Sequence, residues 1–389
     1  MKYSIVSNTK KGKCLIATDR IYVGEIIFEE KPIVCSQFLW NKDCNYDCCQ
    51  LCLKPLETAE QNVSRLAKQT ISLPDAEEFC ETDQSKIVQC VCSERYCSEE
   101  CRQIAFQSFH QYLCPSKLPT KSIEILQNLC ELWKSIHYPP ETASIMLLIK
   151  ILVMFKNDKK FAEKLKEFSH ETIENNTQIV HKLCGPNFQD QIESIKNMVK
   201  SFFNEDEMLN SFWLGENFQS LLALIGKNSQ GIGTSAFSTW ARNIEHFVAN
   251  DPHKTSQLNS LLDDLFQKIY EVSGDFLNNE GSGLYELQSC INHSCEANCE
   301  IHFPYNNYVL ALKASKNIDP GDEITICYLN ECMQDRSRHT RTKYLRENYL
   351  FDCECSKCQE QINDPDETSE DEADDSDLNS NDDDGMDCD

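Results

Sequence analysis

The 389-residue chain has no hydrophobic run long enough to span a membrane. Its longest, Ala143 to Phe155, is broken by Lys150 and falls short of the roughly 20 apolar residues a crossing helix needs. Its opening residues do not read as a secretory leader, since Met1-Lys2-Tyr3-Ser4 runs into strand-like Ile5-Val6 and a basic Lys10-Lys11-Gly12-Lys13 turn. Positive charge is scarce: 37 Lys and Arg face 63 Asp and Glu, a net charge of −26, and from Asp364 onward there is no Lys or Arg. Sequence-specific nucleic-acid binding therefore loses its electrostatic footing, and basic protein partners gain it. No strong basic cluster marks a nuclear signal, so residence in the nucleus and/or cytoplasm is expected.

Cysteine, by contrast, is abundant. There are 23, an odd number, which favours reduced thiols held by metal over a secreted disulfide framework. Cys49-x2-Cys52, Cys90, Cys92, Cys97-x3-Cys101 and His110-x3-Cys114 supply eight candidate ligands within one region. Zinc takes four tetrahedral thiolates or imidazoles, and a C-x2-C turn can aim two sulfurs at one ion. His110 and Cys114 are one helical turn apart and so share a face. Eight ligands imply two zincs, with Cys80 an alternative to the Cys90/Cys92 pair. A third run, Cys353-x-Cys355-x2-Cys358, lies near the end of the ordered sequence.

The length suggests two or three domains. Residues 1 to about 35 alternate apolar and polar positions around tight turns and read as short strands. The stretch Leu53–Gln89 reads as a surface excursion. Ile123, Leu126, Cys130, Trp133 and Ile136 fall at helical spacing, followed by helices over Ala143–Phe155 and Phe161–Phe168, with Pro139-Pro140 between the first two. A later helix carries Leu258, Leu261, Leu262, Leu265 and Ile269. After Cys358 acids, Ser and Asn dominate, which predicts disorder.

Three segments carry chemistry in a fixed order: Asn292-His293-Ser294-Cys295, then Gly321-Asp322-Glu323-Ile324-Thr325-Ile326-Cys327-Tyr328, then Phe351-Asp352-Cys353-Glu354-Cys355-Ser356-Lys357-Cys358. Together they resemble the core of the SET family of protein lysine methyltransferases, and the eight-ligand region resembles a MYND zinc finger. The chain as a whole resembles the SET and MYND domain-containing methyltransferases, in the short form that lacks a C-terminal helical repeat domain and carries an acidic tail. The resemblance implies an α+β fold: a β-rich SET fold with a pseudoknot, interrupted by a MYND finger and a helical insert, plus a post-SET zinc cluster and a disordered acidic tail. The expected boundaries are 1–48 for the SET N-terminal lobe, 49–114 for the finger with its insertion, 115–220 for the helical insert, 221–330 for the SET core, 331–363 for the post-SET segment and 364–389 for the tail. The core is expected to resume near Asn228-Ser229, with Phe237 and Trp240 as lining of a lysine channel.

By the same likeness, Tyr328, Tyr349 and Tyr285 are the catalytic or channel tyrosines. Gly12, Lys13, Cys14, Asn292, His293, Tyr328 and Phe351 bind S-adenosylmethionine, although Cys14 stands where the family's turn has its second glycine. The MYND pattern interleaves its ligands, giving Cys49, Cys52, Cys97 and Cys101 one zinc and Cys90, Cys92, His110 and Cys114 another. Cys295, with Cys299 as the alternative, joins Cys353, Cys355 and Cys358 around a third. The implied activity is S-adenosylmethionine-dependent N-methylation of a lysine on a histone tail (H3 or H4) or another basic protein such as a ribosomal protein, by a monomer. The finger is a candidate site for proline-containing peptides. Two rival readings are a zinc-dependent adaptor that binds peptides through the finger while a degenerate SET fold serves as scaffold, and a RING-like ubiquitin ligase.

Overall fold

A computed structural model describes residues 1–9, 11–136, 144–168, 188–204, 206–215, 217–273 and 278–365. The expected tail lies outside the described residues from position 366 on, as does the Pro139-Pro140 break. Helices and strands mix in an α+β architecture. The chain divides into two compact units, one holding Met1–Phe28, Cys290–Ile301 and the chain from Leu312, the other Glu29–Ser289 and His302–Ala311.

The first unit is built on a four-stranded sheet in the order Tyr3–Asn8, Gly12–Ala17, Glu323–Ile326, Asn292–His293. Tyr3–Asn8 and Gly12–Ala17 pair antiparallel from Tyr3↔Ala17 to Asn8↔Gly12. Gly12 closes their turn at φ +76°, a left-handed conformation that costs an L side chain about 1–2 kcal/mol. Cys14 is an ordinary strand residue opposite Val6, so its side chain brings no such strain. Leu15 pairs with Ile324, and both are fully buried. Alternation along the strand then turns Glu323 and Thr325 to the other face. The strand Glu323–Ile326 also runs parallel to Asn292–His293, with Thr325 beside Asn292 and Ile326 beside His293, and this lays two of the three chemistry-bearing segments edge to edge. Helix Arg338–Tyr349 begins at Ser337, whose hydroxyl accepts the Thr340 N–H. It stops at Leu350, where φ is +64°.

The second unit contains the antiparallel sheet Val34–Gln37, Asn279–Leu284, Ser229–Thr234. Its central strand has no room for a side chain at Gly281, where a Cβ would come within 2.4 Å of the Ser36 carbonyl oxygen. Helices Thr120–Ile136, Ile145–Asn157 and Lys159–Leu165 follow the expected periodicity. Ile145–Asn157 is apolar nearly all round and correspondingly buried. The exception is Lys150, whose ammonium donates to the Cys35 carbonyl at 2.9 Å and lies 4.5 Å from the Phe109 ring centre.

Two expectations fail in this unit, the first in part. Leu53–Gln89 is a surface excursion only beyond Leu73, where no residue through Gln89 is buried. Thr58 and Gln61 form a reciprocal capping box that starts helix Ala59–Leu66, and Leu53, Leu56, Val63, Leu66 and Leu73 are all buried. At about 1.5–3 kcal/mol for each side chain removed from water, this burial rivals the whole stability of a domain. Asn62 completes the anchoring, its Oδ1 accepting from the Phe237 N–H at 3.0 Å. Phe237 and Trp240 are core residues rather than channel lining. Their rings stack at 5.8 Å, both are sealed within the cluster that includes Val63 and Leu66, and the Trp240 indole N–H is spent on the Pro74 carbonyl.

Candidate active site

Pairing of Ile326 with His293 brings the start of the Cys327-Tyr328 turn beside Ile291–Ser294, and the Ser294 N–H extends the contact to the Ile326 carbonyl at 3.0 Å. Two hydrogen bonds then fix Tyr328: its N–H donates to His293 Nδ1 at 3.0 Å, and its hydroxyl donates to the Ile291 carbonyl at 2.5 Å. With Nδ1 accepting, the neutral imidazole carries its proton on Nε2, which lies 3.4 Å from Cys295 Sγ. Burial pushes the His293 pKa down to about 4, consistent with that neutral form. Burial also raises the phenol pKa values of Tyr328 and Tyr349, so both stay protonated at neutral pH.

The aromatic residues gather around Tyr328. Its ring centre is 4.8 Å from Tyr349, 5.4 Å from His293 and 6.3 Å from Phe351, the last nearly edge-on. Leu350 explains how two residues separated by one position both reach it. Its left-handed backbone, sparsely populated by branched side chains, reverses the chain between Tyr349 and Phe351. Tyr285, the third tyrosine named from sequence, belongs to the other unit. It is fully buried there, and its hydroxyl is committed to the Tyr308 carbonyl at 2.6 Å.

Asn292 connects this cluster to the 12–14 turn. Its Nδ2 lies 3.2 Å from the Lys13 carbonyl, 3.1 Å from Cys14 Sγ and 2.8 Å from Glu323 Oε1. Burial raises the Cys14 pKa, with the Glu323 carboxylate adding to the effect, so the sulfur sits there as a thiol. In the sequence Glu323 and Lys11 stand only as parts of motifs, and the one sign that marks Glu323 is a carboxylate in a strand otherwise made of Ile and Thr.

Among the described residues, three groups of four bring their own ligand atoms within 4.8 Å of one another: Cys49, Cys52, Cys97, Cys101; Cys90, Cys92, His110, Cys114; and Cys295, Cys353, Cys355, Cys358. Recorded sulfur–sulfur separations of 3.5–3.9 Å far exceed a disulfide's roughly 2.05 Å. They match the edge of about 3.8 Å in a tetrahedron with 2.3 Å metal–sulfur bonds. The residues therefore suit zinc. Cys80 packs instead against the core formed by Val63 and Trp240, and Cys299 is buried in strand Cys299–His302. Arg341, which sequence reading missed, is buried beside the third group, its Nη2 3.7 Å from Cys358 Sγ.

The SET domain family model matches residues 12–329. The chicken (Gallus gallus) protein-lysine N-trimethyltransferase SMYD5 is 44% identical over 373 residues, covering 94% of this chain and 87% of that protein. Its human (Homo sapiens) counterpart is 42% identical over 93% of this chain and 87% of its own length. The mouse (Mus musculus) histone-lysine N-methyltransferase SMYD3 is 32% identical over 49% of this chain and 44% of that protein.

Proposed function

The chain belongs to the SET domain family and is a protein-lysine N-methyltransferase, and from that premise we propose that it uses S-adenosylmethionine to methylate lysines on basic proteins, a histone tail or a ribosomal protein, with zinc in its three cysteine-rich groups. The observation that carries this reading is the convergence of His293, Tyr349 and Phe351 around the partly buried Tyr328, next to an asparagine aimed by backbone and carboxylate. S-Adenosylmethionine, when bound, supplies a methyl group on a cationic sulfur. Asn292, whose two N–H hydrogens are taken up by protein acceptors, keeps its Oδ1 for the donor's ammonium. Phe351 and His293 offer faces to a flat heterocycle.

An incoming lysine must shed its proton, because an ammonium has no lone pair. Tyr328 does not act as the base, since its phenol is held protonated. Its contribution and that of Tyr349 is an aromatic wall that excludes water and disfavours the charged amine, which lowers the pKa of a lysine held there. The hydrogen bonds at 2.5 and 3.0 Å keep Tyr328 from drifting, so a nucleophile placed against it stays aligned.

The net charge of −26 supports a basic substrate. The name trimethyltransferase printed for the chicken and human relatives supports repeated transfer to one amine. Zinc thiolates require a reducing compartment, which supports the nucleus or cytosol. Methyl transfer from tritiated S-adenosylmethionine to a basic protein fraction tests the reading, with loss expected for Tyr328→Phe and His293→Ala. Calorimetry that finds no S-adenosylmethionine binding to zinc-loaded wild type would sink it.

A further inference from the structure

We propose that Glu323 is the positioning residue of the methyl-donor site, its carboxylate shared between Asn292 and Lys11 so as to fix which end of the Asn292 amide faces the ligand. The inference rests on the reading that Asn292 and the 12–14 turn hold S-adenosylmethionine.

Glu323 Oε1 accepts from Asn292 Nδ2 at 2.8 Å, and Oε2 accepts from Lys11 Nζ at 2.7 Å. The register places it there: Glu323 pairs with Ile16 on one side, and two residues on, Thr325 pairs with Asn292. One side chain thereby ties together three segments far apart in the sequence. An ionised carboxylate only accepts hydrogen bonds. Burial pushes the Glu323 pKa up, but the Lys11 ammonium and the Asn292 amide outweigh it and hold the group below the usual carboxylate range.

Asn292 Nδ2 also meets the Lys13 carbonyl and Cys14 Sγ. An amide turned the other way would set its oxygen against a carboxylate and a carbonyl together. The orientation is therefore fixed before any ligand arrives, and Oδ1 remains as the acceptor for a cationic donor. Lys11 has a second effect, since it neutralises the negative charge that Glu323 would otherwise present to the ligand's own carboxylate. Because the Lys11 and Glu323 side chains are 47% and 24% exposed, solvent screens their ion pair, and most of the effect passes through the amide.

The test is S-adenosylmethionine calorimetry paired with steady-state kinetics on the full, zinc-loaded chain. In Glu323→Gln one end of the new amide must face a donor with a donor. Its Kd and KM for S-adenosylmethionine are expected to rise about tenfold, the size of one charge-assisted hydrogen bond, while kcat at saturating donor and KM for the protein substrate stay within about twofold. In an Asn292→Ala background, Glu323→Gln should add less than about twofold, because the amide it aims is gone. Lys11→Met, on a half-exposed side chain that leaves folding alone, should weaken binding by about two- to threefold. Wild-type affinity in Glu323→Gln, a fall in kcat without a rise in KM, the full penalty persisting without Asn292, or no change in Lys11→Met should Glu323→Gln fail to fold, each overturns the assignment. A wild type that binds no S-adenosylmethionine defeats the functional reading itself, a result distinct from all of these.

Discussion

The cluster of Cys295, Cys353, Cys355 and Cys358 and the two clusters of the finger are made of the same ligand types but sit in different company. Around the first, metal ligands and aromatic residues interleave. Cys353 and Cys358 are buried with Leu329 and Leu345, and Tyr328, Tyr349 and Phe351 pack against them. His293 bridges Cys295 to the Tyr328 backbone. In the finger, the ligands hold one another and a short hairpin of two two-residue strands, Val88–Gln89 against Arg95–Tyr96, with Tyr96 edge-on to His110 at 5.9 Å. One tetrahedral chemistry therefore frames an aromatic cluster in one place and clamps a small fold in the other.

Removing one ligand from each should pull the two roles apart, and this is the largest effect expected. Cys355→Ser should weaken S-adenosylmethionine binding and methyl transfer by more than about a hundredfold, because the aromatic cluster loses the frame on which Phe351 hangs. Cys52→Ser should cost one zinc and finger stability yet leave S-adenosylmethionine affinity within about threefold. Zinc counting by mass spectrometry beside calorimetry checks both. Equal loss of binding in the two variants would erase the distinction.

Much of this contrast was legible in the sequence, because ligand spacing is a local property and the motifs name their own order. Asn292, His293, Tyr328, Tyr349 and Phe351 came from three short segments, and the structure brings them to one place. What could not be read was what depends on partners distant in sequence. The helix that Thr58 and Gln61 cap buries Val63 and Leu66 against helices Ala236–Val248 and Pro252–Ser273, and polar residues between these apolar ones mask the stripe. Phe237 and Trp240 looked like channel aromatics because motif position says nothing about which way a helix faces. Leu350 is a plain leucine in sequence; only its φ of +64° shows it as the hinge between two site residues.

Arg341 sharpens the comparison at the next level of effect. Its guanidinium donates to the Arg336 carbonyl and to Gln361 Oε1 at 2.7 Å, and reaches Cys358 Sγ at 3.7 Å. In the finger, Cys114 Sγ has beside it the neutral Ser116 hydroxyl at 3.0 Å. Four thiolates around a divalent ion leave a net negative charge, and a buried cation touching them offsets it. Arg341→Met should speed zinc release from this group by about tenfold, as loss of an outer-shell partner commonly does, with release from the finger unchanged. Chelator-driven zinc release followed with a chromogenic dye reads both rates in one sample.

The smallest expected effect concerns the second unit's own buried cation, Lys150. Arg341 lies against thiolates, which outweigh burial and hold its pKa up. Lys150 has the Cys35 carbonyl and the Phe109 ring against it, and burial outweighs the pull of nearby Cys35, Glu94 and Cys48, so its pKa falls below the ordinary 10.5. Below its lowered native pKa the lysine is charged in both states, and the folded state carries the full burial penalty. As pH rises through that value the native group releases its proton while the unfolded chain keeps one until 10.5. The unfolded state then binds more protons, so stability rises with pH across that window and levels off above it. Lys150→Met should lack this increment. Its stability at neutral pH should lie within about 2 kcal/mol of wild type, because the lost hydrogen bond to Cys35 and the recovered desolvation oppose each other. Urea titrations of both proteins at several alkaline pH values measure the difference, from which the titration of the zinc thiolates, common to both, cancels. A wild-type curve that tracks the variant at every pH would mean that Lys150 is solvated and that the two buried cations are not in the contrasting surroundings described for them.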